Sequence, residues 1–162
     1  MKHIVVSTTF GWMVIGWSER GICFVSLPQL SLEDAVVGLE DSQQCSVEGR
    51  SLLGDLPLRL QRYFEGEAVS FPDKLDLSNT TVFDKAVWDA ARAIPYGETR
   101  SYAWLAERIG KPRAYRAVGG AMSRNRFPII VPCHRVTAST GRLGGFGGGL
   151  ELKRRLLKLE SG

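Results

Sequence analysis

The chain has 162 residues, 44% of them hydrophobic and 23% charged, which is the balance of a folded globular protein and not of a disordered or fibrous one. No apolar run is long enough to cross a bilayer, and residues 1–7 lack the apolar core of a signal peptide, so neither a membrane protein nor an exported one is expected. The net charge of +4 conceals an asymmetry: residues 1–82 carry six Lys/Arg and eleven Asp/Glu, giving −5, and residues 83–162 carry fifteen and six, giving +9.

A basic half suits a polyanionic partner, although cations scattered over a solvated surface give the same sum. The three cysteines, Cys23, Cys45 and Cys133, lie far apart and without metal-ligand spacing. An odd count with no export signal points to reduced thiols, a cytoplasmic setting and no structural metal.

The first third reads as a small antiparallel sheet. His3–Ser7, Trp12–Trp17 and Ile22–Leu27 are strand-like runs separated by Phe10-Gly11 and Ser18-Glu19-Arg20-Gly21, and Pro28 ends the third. Trp12, Trp17 and Cys23 are most simply core or sheet-face residues. Ser31 suits a helix N-cap, with Glu33 and Asp34 in the first turn. A polar loop with Cys45 is expected over 41–49. Leu52, Leu53, Leu56, Leu60, Tyr63 and Phe64 follow at helical spacing, with Pro57 a natural start and Gly66 a stop. Residues 67–81 look extended and hold the boundary between a domain over 1–80 and one over 81–162.

Beyond the boundary Thr81 caps a helix reaching about Ile94, broken by Pro95-Tyr96-Gly97. Ser101 caps a second over Tyr102–Ile109, and Gly110-Lys111-Pro112 breaks the chain before a third over Arg113–Met122. Two short helices around a tight break fit a helix-turn-helix, in which the second helix enters a groove. Ala114, Ala117, Gly119, Gly120 and Ala121 make that second helix slim, and Arg113, Arg116, Arg124 and Arg126 offer phosphate contacts or an inserting cation. Close helix packing would also favour small residues. Phe127–Val131 reads as a buried strand delivering Pro132-Cys133-His134-Arg135-Val136. The glycine run 144–149, interrupted by Phe146, lacks the Lys-Ser/Thr of a phosphate loop. It suits a flat ligand against backbone. Leu150–Leu159 reads as a final amphipathic helix with Lys153, Arg154, Arg155 and Lys158 outward.

A thiolate is a strong nucleophile, and an unassisted thiol is only a few per cent ionised at neutral pH, so a neighbouring base matters. Cys133-His134 adjacency alone is weak, because neighbours in a strand point to opposite faces. Alone it reads as a core cysteine beside a surface histidine before it reads as a catalytic pair.

Together, however, these motifs resemble the O6-alkylguanine-DNA alkyltransferases (methylated-DNA--protein-cysteine methyltransferases). Pro132–Val136 is similar to that family's active-site motif, Arg116–Met122 to its recognition helix, and Ile94–Glu98 with Ser101-Tyr102 to the segment leading into it. The resemblance is strong over 81–160 and weaker over 1–80. It implies an α+β (α/β) fold: a small ribonuclease H-like antiparallel sheet with helices as the supporting domain, then a mostly helical domain with a winged helix-turn-helix. It implies single-turnover transfer of an alkyl group from O6-alkylguanine, and from O4-alkylthymine, in duplex DNA to Cys133. Minor-groove binding and base flipping come first. His134 would be the general base acting through a water, oriented by Glu160. Asn125 would hold the turn, and Tyr102 would meet the flipped nucleotide. Arg116 would fill the space left in the stack. Ser101, Arg113, Ala117, Gly119 and Arg124 would complete the DNA face, and Met122, Arg135, Val136, Phe146, Gly147 and Gly148 the substrate pocket. No cofactor is implied. The resemblance also implies a protein that is monomeric in solution, associates with the nucleoid in a prokaryote and leaves cooperativity on DNA open. Phe146, where relatives often have tyrosine, and Gly147 suggest a pocket roomy enough for benzyl groups. A cysteine hydrolase and a binding-only damage sensor or regulator are the competing readings. The first lacks an acyl-binding groove, and sensors lack the cysteine.

Overall fold

The computed structural model describes residues 2–39, 43–44 and 52–162. The loop expected over 41–49, with Cys45, lies outside these apart from Gln43-Gln44. The chain forms two compact units, Met1–Leu77 and Ser78–Gly162.

In the first unit, β1 (Lys2–Thr8), β2 (Gly11–Ser18) and β3 (Gly21–Val25) form an antiparallel meander. A two-residue β4 (Gln43–Gln44) adds parallel to β1, giving the order β3-β2-β1-β4. Central β2 buries Met13 to Trp17 without alternation, so both faces of the sheet are covered. The short α1 (Leu32–Ala35) is capped by Ser31 Oγ, which accepts from Asp34 N at 3.1 Å, and packs on β2. Helix α2 (Leu56–Phe64), started by Pro57, buries Leu56, Leu60, Tyr63 and Phe64 and packs on β1. Gly21 enables a close crossing: at φ 138° it passes so near the 74–75 segment that a Cβ would stand 2.6 Å from Lys74 O. Ile22 N and O exchange hydrogen bonds with Lys74 O and Asp76 N there, at 2.9 and 2.7 Å.

In the second unit, α3 (Val82–Arg92) is capped by Thr81 Oγ1, which accepts from Asp84 N at 3.1 Å. It buries Val87, Trp88, Ala90 and Ala91. A short β5 (Arg100–Ser101) leads into α4 (Tyr102–Arg108), capped by Ser101 Oγ. Helix α5 (Tyr115–Ser123) follows. The inter-helix connection is longer than the tight break expected, and it leaves Arg113 in the turn outside α5. Helix α5 buries Val118, Ala121 and Met122 and packs against both α3 and α4, while Trp88 Nε1 donates to Ala121 O at 2.9 Å. A 3-10 turn over Cys133–Arg135 leads into β6 (Val136–Thr137), which pairs parallel with β5. The unit closes with α6 (Leu150–Glu160).

The strand expected over Phe127–Val131 is not one. Those residues are buried, but they fold into a tight turn closed by Val131 N donating to Phe127 O at 2.8 Å. Pro128 and Pro132 remove two backbone donors, so no ladder could form. Ile129 sits at φ 74°, costly for a β-branched residue, by about 1–2 kcal/mol. Its side chain is only 2% exposed, and burial of that size outweighs the strain. Ile129→Gly should therefore lower stability, by about 1–3 kcal/mol net in urea unfolding, even though it frees the backbone.

Candidate active site

The turn over 125–135 positions the Cys133 thiol. Asn125 fastens it from within: Nδ2 donates to Val131 O at 3.0 Å and Oδ1 accepts from Phe127 N at 2.9 Å. Cys133 N donates to Val131 O at 2.7 Å, which fixes the start of the 3-10 turn. The backbone curls there into a 3-10 turn, so Cys133 and His134 are not strand neighbours. Cys133 is half-buried and lines a cavity of about 520 Å³ with Tyr102, Gly119, Met122, Ser123, Gly145, Phe146 and Gly147. His134 is fully buried beside it.

His134 Nε2 meets a carboxylate oxygen of Glu160, the last residue of α6. A carboxylate only accepts, so Nε2 carries the proton and Nδ1 holds the lone pair of the neutral ring. Arg135 closes the network from the other side. Its Nε and Nη2 donate to Glu160 at 2.8 and 3.2 Å, and Nη1 donates to Ile94 O at 2.8 Å. Gly97 N donates to Glu160 Oε1 at 3.0 Å. Burial pushes the His134 imidazole below its ordinary range, and the Glu160 carboxylate pulls it part of the way back. Burial likewise pushes the Cys133 thiol up. The Asn125 amide, then the charge of Lys153, then the backbone N–H groups of Cys133 and His134 act against that. The resting pair is thus a neutral thiol beside a neutral base. Burial, and secondarily the nearby sulfur, raises the Tyr102 phenol, which stays protonated and able to donate.

Several expected residues have other tasks. Arg135 does not line the cavity, because its guanidinium is spent on Glu160 and Ile94 O. Val136 is buried outside the lining and Gly148 is exposed outside it. Arg124 forms a two-pronged pair with Asp84, at 2.9 and 2.7 Å, which ties the end of α5 to the start of α3 and compensates its charge. Arg126 donates to Thr80 Oγ1 at 3.0 Å and lies over the rings of Trp88 and Phe127. Arg113, Arg116 and Ala117 are exposed, and Gly119 lies at the cavity. Ser101 serves as the α4 cap.

Lys153 was expected to face outward and is instead fully buried, donating to Val136 O at 2.7 Å, to Leu143 O and to Gly145 O at 3.4 Å. Its spacing from Leu156 and Glu160 marks the inward stripe of α6, which is the signal that could have found it. Two further arginines bracket one aromatic ring: Arg100 and Arg108 lie 5.5 and 5.6 Å from the ring centre of Trp104. The Trp104–Arg108 spacing on α4 could have suggested half of that pair. Gly144, at φ 70°, lets the loop reach Tyr102, where a Cβ would stand 2.9 Å from the phenol oxygen. Among the described residues no three His, Cys, Asp or Glu side chains converge as a metal site requires.

A cavity-lining thiol, a buried His–Glu–Arg network behind it and two short helices joined by a turn define a helical, thiol-bearing domain. Residues 82–162 match the family model described as 6-O-methylguanine DNA methyltransferase, DNA binding domain. The chain is 39% identical over 160 residues to the methylated-DNA--protein-cysteine methyltransferase of Methanosarcina acetivorans, covering 99% of this chain and 98% of that one. It is 55% identical over 102 residues to the protein of the same name from Mycobacterium leprae, covering 63% and 61%. A crystal structure of Mycobacterium tuberculosis OGT in complex with DNA superposes with a TM-score of 0.81 at 37% identity, covering 99% of this chain and 93% of that one. The chain belongs to the 6-O-methylguanine DNA methyltransferase family.

The buried imidazole makes a pH prediction. With its folded pKa depressed, His134 contributes stability that is intact above the unfolded value near 6.5 and lost as the pH falls. Urea unfolding at stepped pH should show stability declining below about 6.5, by at most about 1.4 kcal/mol per pH unit for one proton. His134→Gln should flatten that part of the profile.

Proposed function

We propose that this chain repairs DNA by direct reversal, moving the alkyl group of O6-alkylguanine, and of O4-alkylthymine, irreversibly to Cys133. One observation carries the reading: Cys133 lines a cavity of about 520 Å³ and is flanked by a buried neutral histidine whose far nitrogen is held by a carboxylate. The proposed division of labour gives DNA binding and transfer to residues 81–162 and support to residues 1–80.

Helix α5 enters the minor groove of duplex DNA. Its exposed Ala117 and half-buried Gly119 allow close approach, and Arg113 and Arg116 meet phosphate or stack. Arg116 occupies the place of the extruded base while Tyr102, with Ser101 before it, receives the flipped nucleotide. Met122, Phe146 and Gly147 hold the base. As sulfur attacks the alkyl carbon in line, the thiol proton passes through a water to His134 Nδ1, and Glu160 stabilises the imidazolium. The S–C bond forms and the C–O6 bond breaks. The Tyr102 phenol donates to the guanine as charge builds on it, and the guanine regains one proton, balancing the one lost by the thiol. The thioether is stable, and no group near it could hydrolyse it, so each molecule acts once. Phe146 keeps an aromatic wall without a hydroxyl, and the glycines beside it leave room for a benzyl group.

Mass analysis after mixing with duplex DNA containing O6-methylguanine tests this. One methyl should appear on Cys133, with no further turnover. Unmodified protein with hydrolysed product would favour a hydrolase, and tight binding with both partners unchanged would favour a damage sensor. The flipping role of Arg116 has its own check. Arg116→Ala should slow repair of duplex DNA while leaving reaction with free O6-benzylguanine near the wild-type rate. Equal losses in both assays would remove Arg116 from flipping.

A further inference from the structure

Lys153 is the least expected side chain of the second unit. It lies in the first turns of α6 on the same stripe as Leu156 and Glu160, and it is fully buried. Glu160 lies seven positions further on, about 10 Å along the helix. One helix thus presents an anion to His134 at one end and a cation to the cavity wall at the other. An ammonium has three donors, and three carbonyls meet them. Val136 directly follows the turn bearing Cys133. Leu143 and Gly145 belong to the returning loop, and Gly145 lines the cavity with Cys133.

Among the described residues no carboxylate pairs with Lys153. Burying a cation against neutral carbonyls is expensive, and an apolar side chain of similar length would fill the same space at lower cost. Burial weakens its hold on the proton, and the Cys133 sulfur strengthens it again, so the two groups feel each other. The groups facing Cys133 are Tyr102 from α4, the Asn125 amide, His134 with Glu160 and Arg135 behind it, and Lys153 from α6. Tyr102 and Asn125 are neutral, His134 is neutral at rest, and Glu160 offsets Arg135. Lys153 is therefore the positive charge in this set without a carboxylate to offset it.

We propose that Lys153 is a positioning residue for alkyl transfer: its ammonium ties Val136, Leu143 and Gly145 into one cavity wall and holds a fixed positive charge beside Cys133 as the sulfur becomes anionic. This rests on the reading of Cys133 as the alkyl acceptor. The charge acts when the thiol proton leaves, a moment at which burial otherwise opposes the thiolate.

The test compares K153M, K153Q and K153R in the full chain. Two rates are followed: methyl transfer from duplex O6-methylguanine DNA, and alkylation of Cys133 by iodoacetamide across pH, with Cys133 quantified as its own peptide. K153M should melt as a folded protein, shift the iodoacetamide profile to higher pH by about one unit, and slow methyl transfer near neutrality about tenfold. K153R, which keeps the charge, should restore the wild-type profile. If K153M does not fold, K153Q carries the same expectation, because it is neutral yet keeps two N–H donors for the carbonyls. A folded neutral variant with the wild-type pH profile and transfer rate would overturn the role of Lys153. Wild-type protein that leaves the methylated duplex unchanged would instead overturn the reading of Cys133 as acceptor.

Discussion

The Glu160 carboxylate is the point on which the second unit turns. It is buried, and it stands at the C-terminal end of α6, where the helix dipole disfavours negative charge. Both terms oppose an ion there. The structure offsets them with four hydrogen bonds from two segments: one from the His134 imidazole and two from Arg135 in the 3-10 turn, and one from the Gly97 amide. The result is more than a stable ion. Because Glu160 accepts a hydrogen bond from Nε2, the tautomer of His134 is fixed, and because Arg135 and the Gly97 amide occupy the other acceptor sites, the carboxylate cannot swing away. The Pro95-Tyr96-Gly97 break, the 3-10 turn and the end of α6 meet at this one ion, so the geometry at Cys133 depends on a residue at the far end of the unit.

Much of this was legible in the sequence, and the parts that were not share a cause. Helix starts could be read because Ser31, Thr81 and Ser101 cap locally, by side-chain bonds spanning three residues. The sheet of the first unit could be read because its turns are local too. The chemistry of Cys133-His134 could be seen as a possibility but not weighed, because its partner Glu160 lies 26 residues away. Long-range partners leave no spacing signal within either segment. Phe127–Val131 reads as a strand because periodicity records burial and not direction, and the two prolines that forbid a ladder were available as a warning. Lys153 reads with its outward cationic neighbours because charge normally seeks water, and three carbonyls from elsewhere in the fold reverse that preference. Arg124 and Arg126 read as cations available to phosphate for the same reason, while their partners Asp84 and Thr80 lie 40 and 46 residues away.

The charge asymmetry between the two halves is partly internal to the second unit. Of the fifteen Lys/Arg in residues 83–162, several are consumed inside the unit. Arg135 belongs to Glu160, Arg124 to Asp84, Lys153 to backbone carbonyls, and Arg126 lies over two rings. The net of +9 already subtracts Glu160 and Asp84, so among these four only Lys153 is a fully buried cation with no carboxylate partner among the described residues. The exposed cations are spread over the unit: Lys85 on α3, Lys111 and Arg113 between α4 and α5, Arg116 on α5, Arg142, then Arg154, Arg155 and Lys158 on α6, with Arg108 on the face of Trp104. Arginines held against an aromatic ring keep their donors aimed while losing little freedom on contact.

The loop that returns to α6 has a consequence of its own. Gly145, Gly147 and the single side chain of Phe146 form one side of the cavity, with Gly144 and Gly149 in left-handed conformations at φ 70° and 87° on either side. This side of the cavity is built mostly of main chain, and few side chains are there to collide with a larger guest. Its give is set by how firmly the peptide is pinned, and the pin at Gly145 O is the longest of the three that Lys153 makes. Tolerance for bulk is then a matter of compliance: the cavity responds to an oversized substituent as a spring does, yielding in proportion, where a wall of packed side chains would accept or refuse.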